Sequence, residues 1–149
     1  MKKTLLFMFA FMAFVTSALA EDTTVQWTAN TDWTETPLSY TQVPYTITMD
    51  QADGTTAPAV NASKNDARAY AKNTIAVNTT GENMTKIVFN VSSKGKYRLA
   101  NVTATSGSVV VDNKAWTVTW TGSSKEVTFT VGEKADYGTD GNTKAGQLC

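Results

Sequence analysis

Met84-Thr85-Lys86-Ile87-Val88-Phe89-Asn90-Val91-Ser92 places Ile87, Phe89 and Val91 at every second position, so one side of the segment is apolar. Side chains alternate faces along an extended chain, and period two is the mark of a half-buried β-strand. Ala115–Thr121 repeats the pattern with Trp116, Val118 and Trp120, and Lys125–Val131 repeats it with Val127, Phe129 and Val131. Tyr45–Met49 and Thr74–Asn78 are shorter versions. Thr supplies much of the opposite face, where a β-branched residue fits the pleat and its hydroxyl faces water. No segment carries an apolar i, i+3, i+4, i+7 stripe long enough for a substantial helix.

Turn residues separate these runs: Asp53-Gly54, Thr80-Gly81, Lys94-Gly95, Ser106-Gly107, Asp112-Asn113 and Thr121-Gly122. Such spacing predicts an antiparallel β-sandwich, jelly-roll-like, of seven to nine short strands. Gly122-Ser123-Ser124 is expected to close a hairpin before Val127, and Gly107 to close another between the Val102 and Val109 runs. Leu38-Ser39-Tyr40, bracketed by Pro37 and Pro44, reads as an edge strand or irregular lead-in. Asp50 to Asp66 reads as a surface loop with a short helical turn near Asn65-Asp66-Ala67. Ala145-Gly146-Gln147-Leu148-Cys149 looks like the opening of one more strand, which implies either a natural chain that continues or a short edge.

The first 20 residues have the form of a cleavable leader. Lys2 and Lys3 supply the positive start, Leu5 to Val15 the apolar run, and Ala18-Leu19-Ala20 the small side chains of a cleavage site. The apolar run is shorter than the roughly 20 residues a spanning helix requires. The expected mature chain is therefore one domain, residues 21–149, secreted, periplasmic or at the cell surface, with no membrane span. The strand-spanning alternative, an outer-membrane barrel, needs strands of about 9–11 residues, longer than the alternation here.

The 149 residues contain 13 Lys plus Arg, 13 Asp plus Glu, no His and one Cys. A chain so balanced lacks the basic footprint of a nucleic-acid binder. Without His there is no Ser-His-Asp or Cys-His catalysis. The lone Cys149 has no disulfide partner within the chain. Two carboxylates could still cleave a glycan, with Glu126 and Asp66 the least solvated in context. The other acids sit in turns or beside Lys, and no enzymatic activity is expected.

Aromatic side chains are the sharper candidates. Trp27 and Trp33 lie among Thr, Asn and Asp without an apolar stripe, and with Tyr40 they could stack on sugar rings. Trp116 and Trp120 share their face with Val118, which favours core packing. Arg68 and Tyr70, two apart on one strand side, could anchor a glycan or an anion, with Asp66 in reach of Arg68. Asp136, Asp140 and Asn142, in a Gly-containing loop, are oxygen donors of the kind that holds Ca²⁺, although Asp-Gly and Gly-Asn are also common turn formers. Asn-x-Ser/Thr sequons at Asn61, Asn78, Asn83, Asn90 and Asn101 matter only in a host that glycosylates Asn.

Asn65–Ile75 with its Arg68-x-Tyr70-x-x-Asn73 motif, then Met84–Phe89, then Trp120-Thr121-Gly122 and Val127–Val131, resembles Thr/Asn-rich β-sandwich accessory modules of secreted and cell-surface Bacteroidetes proteins. The resemblance spans roughly residues 45 to 149 and implies fold and compartment more than activity. The expected function is a non-catalytic binding or adhesion module with glycan as ligand. The alternative is an assembly subunit that completes its sheet with a strand from a partner protein.

Overall fold

The computed structural model describes residues 38–61 and 66–149, together with the strand backbones of 13–17, 24–26 and 34–35. In chain order the strands are β1 (Ala13–Ser17), β2 (Thr24–Gln26), β3 (Thr34–Glu35), β4 (Leu38–Gln42), β5 (Tyr45–Asp50), β6 (Ala59–Asn61), β7 (Asp66–Tyr70), β8 (Thr74–Thr79), β9 (Met84–Asn90), β10 (Val102–Ala104), β11 (Ser108–Asp112), β12 (Thr117–Ser124), β13 (Glu126–Val131) and β14 (Gln147–Leu148). Among the described residues, a turn of 3-10 helix, Gly95–Tyr97, interrupts them. The fold is all-β. Among the described residues there are fourteen strands, more than the seven to nine expected; nine have five residues or more, and β2, β3, β6, β10 and β14 are shorter pieces.

One sheet runs β11-β12-β9-β1-β2, a second β10-β13-β8-β5-β4-β3, and a small third β14-β7-β6. Every pairing between named strands is antiparallel. The two large sheets share one core, as a β-sandwich does. Ile87, Phe89, Val118 and Trp120 come from the first, and Ile47, Met49, Ile75, Val77, Val127 and Phe129 from the second. These are the residues that the alternation marked.

The turns are less as expected. β12 runs on to Ser124 and belongs to a different sheet from β13, so Gly122-Ser123-Ser124 closes no hairpin. Gly107 likewise joins β10 to β11 across the two sheets. Both are corners, and Trp120 explains them. Its indole N–H donates to the Ser106 carbonyl at 2.6 Å. A Cβ at Gly107, where φ is +69°, or at Gly122 would run into the indole. The β9–β12 register also shifts between Thr121 and Ser124, a bulge at the same corner. The hairpin in this region is β11–β12, whose turn is held by Asp112 Oδ1 accepting from the Lys114 and Ala115 amides, each at 2.8 Å.

Three further expectations are corrected. Asp66 and Ala67 open β7 rather than a helical turn, because Ala67 and Ala69 alternate into the core. The 50–66 stretch is not all loop, since it contains β6. β4 is not an edge strand, lying between β5 and β3. The segment near the last residue pairs within the fold: β14 lies against β7, and Leu148 and Cys149 are buried.

Candidate functional site

Two places gather polar and aromatic chemistry. The first surrounds β7. Asp66 is 2% exposed, and Arg68, next on the same strand face, donates Nη2 to Asp66 Oδ2 at 2.8 Å, with Nε 3.3 Å from both carboxylate oxygens. The pair was legible from its two-residue spacing. The bonded carboxylate holds the guanidinium pKa above its ordinary value.

Behind the pair lies the buried Cys149, whose Sγ sits 3.1 Å from Ser92 Oγ. The Ser92 amide donates to the Cys149 carbonyl at 2.7 Å. Burial pushes the Cys149 thiol up to about 11 despite the Ser92 contact. A thiol so placed is a poor nucleophile at neutral pH.

Asn73, the last residue of the Arg-x-Tyr-x-x-Asn motif, is fully buried. Its Oδ1 accepts from the Tyr70 amide at 2.8 Å, and its Nδ2 donates to the carbonyls of Gln51 (3.1 Å) and Thr56 (2.9 Å). It fastens the 51–56 loop to the β7–β8 turn. Asp66, Arg68 and Asn73 therefore have their polar groups engaged inside the molecule, and Tyr70 is half-buried. The motif's main work here is structural.

The second place is the end of the domain around the 3-10 turn. Lys96 Nζ lies 5.3 Å from the centroid of the Trp116 ring, within range of a cation–π attraction. Trp116 is not on β12 but just before it, half-buried, with φ of +58°. Its carbonyl accepts from the Val91 amide at 2.9 Å. That backbone region is costly for a bulky residue and is held by its surroundings. Tyr97 is 51% exposed, one of the few large hydrophobic side chains in water.

The loop carrying Asp136, Asp140 and Asn142 folds onto this turn. The Tyr137, Thr139 and Asp140 amides donate to the carbonyls of Leu99, Lys96 and Tyr97 at 3.0, 3.0 and 2.9 Å. The Asp140 carboxylate lies 3.5 Å from Arg98 Nε, both partly exposed. Asp136 and Asn142 are exposed. Among the described residues, no three Asp, Glu or Cys side chains converge as a metal-holding group.

Trp27 and Trp33 lie outside the described residues. Tyr40 is half-buried on β4 and packs against the core. Glu126 is exposed at the start of β13, in the second sheet, whereas Asp66 is buried in the third, so they stand on different elements. Lys94-Gly95 reads in sequence simply as a turn, which hides Lys96, Tyr97 and Arg98; the signal is an aromatic set among three basic residues in Lys94-Gly95-Lys96-Tyr97-Arg98. Among the described residues, no helix is long and apolar enough to cross a membrane.

No known protein family, curated protein or solved structure matches this chain.

Proposed function

We propose that this chain is an exported, non-catalytic binding module of the bacterial surface, and that it holds an acidic glycan at the Lys96–Tyr97–Arg98 end of the domain. The observation that carries this reading is the half-exposed Tyr97 ring, flanked along the chain by Lys96 and Arg98. A sugar presents a C–H-rich face to an aromatic ring, and few polar groups are then needed to orient it. Lys96 is already drawn over Trp116, so its ammonium sits beside an apolar surface where a carboxylate or sulfate would find it partly desolvated. The Arg98–Asp140 contact is long and partly exposed, of the kind worth about 1 kcal/mol, so Arg98 can exchange it for a ligand anion at modest cost. The leader supports export, and the Asp66–Arg68 pair and Asn73, already engaged within the molecule, favour the Tyr97 end over the β7 cluster.

The test is retention of the exported protein on immobilised acidic and neutral polysaccharides. Tyr97→Ala and Arg98→Gln are expected to weaken retention at least about tenfold, equivalent to roughly 1.4 kcal/mol, without shifting the melting temperature. Loss in Trp27→Ala or Trp33→Ala with Tyr97→Ala unchanged would move the site to the N-terminal segment. Absence of binding to any polysaccharide would refute a glycan ligand.

A further inference from the structure

β1 occupies the position between β9 and β2 in the first sheet, and all five of its residues belong to the leader expected to be removed after Ala20. Its pairing with β9 runs Ala13 with Phe89, Phe14 with Val88, Val15 with Ile87 and Thr16 with Lys86, then after a register shift Ser17 with Met84. β2, in turn, is joined to the sheet through β1. Cleavage therefore takes a strand out of the sheet and makes β9 its edge, although Met84, Ile87, Val88 and Phe89 are among the buried residues of the fold. An exposed edge of this kind invites pairing with another chain.

The neighbouring strand β2 is poorly placed to close the gap. β2 and β9 are each antiparallel to β1, so they run parallel to one another. Moving β2 sideways onto β9 would create a parallel pair in a sheet otherwise wholly antiparallel, and β2 spans only three residues. A strand entering as β1 does would restore the antiparallel pairing of β9 from Met84 to Phe89.

We propose that the β1 position is a strand-acceptor site: the leader fills it in the precursor, and an extended segment of a partner protein fills it after export. The partner segment has five or more residues without proline and runs antiparallel to β9. It carries small or apolar side chains at the positions opposite Met84, Ile87 and Phe89, the spacing that Ala13, Val15 and Ser17 have in the register. Main-chain hydrogen bonds provide the attachment, and the alternate side chains select the partner. Leader removal is then the event that licenses assembly. This site is distinct from the glycan surface around Tyr97 and does not depend on it.

The experiment compares the exported protein with a precursor whose cleavage is blocked by Ala18→Phe and Ala20→Phe. Mass spectrometry fixes the N-terminus of each, hydrogen exchange follows Met84–Asn90, and the probe is a synthetic peptide of residues 11–19. In the exported monomer the β9 amides are expected to lose at least about 100-fold in protection relative to the precursor, and the peptide to restore it. A peptide with Val15→Asp should not. If the exported protein is instead oligomeric with β9 protected, the peptide should dissociate it. Retention of residues 13–17 in the exported chain, or a monomer whose β9 amides stay as protected as the precursor's without peptide, would overturn the proposal. So would failure of the peptide both to protect the monomer and to dissociate an oligomer.

Discussion

The ring of Phe89 meets that of Phe129 edge to face, with centroids 4.9 Å apart and planes at 84°. Phe89 belongs to β9 and Phe129 to β13, so this one contact ties the first sheet to the second. Both side chains are completely buried. Edge-to-face pairs add about 0.5–1.5 kcal/mol beyond the apolar area that each ring removes from water.

Phe129→Ala should therefore lower the unfolding free energy by about 3–5 kcal/mol, the range for emptying a buried aromatic site. Phe129→Leu should recover part of that loss but not the ring–ring component. Urea denaturation of both variants, with the midpoint moving at constant slope, checks this. A loss under about 1 kcal/mol for the alanine variant would mean that the two sheets are not joined here.

Gly107 is held by a different constraint. Its φ of +69° disfavours any L side chain, and a Cβ there would collide with the Trp120 indole and the Thr121 carbonyl. Gly107→Ala should cost about 1–3 kcal/mol, because the indole must move and its bond to the Ser106 carbonyl lengthen. Gly141 provides the control. It also has positive φ, +78°, but no atom within 4 Å of its Cβ position, so Gly141→Ala should cost only about 1 kcal/mol from backbone strain. The red shift of Trp120 fluorescence on unfolding, followed against denaturant, ranks the two.

The contrast between these glycines shows how far the sequence could be followed. Ile87, Phe89, Val118, Val127 and Phe129 were legible as core because period two is a local property, set by each residue's immediate neighbours. Gly107 and Gly122 were legible as turns for the same reason. What local pattern cannot state is which sheet the chain enters next, so two corners between sheets read as hairpins. The site divides in the same way. Arg68 and Asp66, two positions apart, could be paired on paper, whereas Lys96 reaches Trp116 twenty positions away only through the fold. The alternation also stops at Trp116, where the backbone turns left-handed, although the half-buried ring still packs against the core.

Removing one member of the Arg68–Asp66 pair should hurt more than removing both charges. Arg68→Ala leaves a carboxylate that is 3% exposed without its cation, and the expected loss is about 3–5 kcal/mol. Asp66→Asn combined with Arg68→Met removes the uncompensated charge and should recover at least half of that. Thermal unfolding of the two variants at neutral pH gives the comparison. Equal losses would show that the pair acts through packing rather than charge.

Cys149 provides a pH-dependent prediction whose sign follows from its burial. The folded thiol titrates at about 11 against an ordinary 9.0, so between those values the folded chain holds a proton that the unfolded chain has released. Folding is therefore opposed progressively as pH rises through that window, while below about pH 9 the thiol leaves stability unchanged. Two pH units correspond to roughly 3 kcal/mol, fully lost only above the folded value. Lys and Tyr groups also titrate in this range, so the measurement is a difference: unfolding free energy of the wild type minus that of Cys149→Ser, whose hydroxyl does not ionise there. That difference should fall by about 2 kcal/mol between pH 9 and pH 11, and labelling of the native thiol at pH 8 should be far slower than in denaturant. A difference that stays flat across the window, or rapid native labelling, would show that Cys149 is open to water and that the Ser92–Cys149 contact does not seal this end of the core.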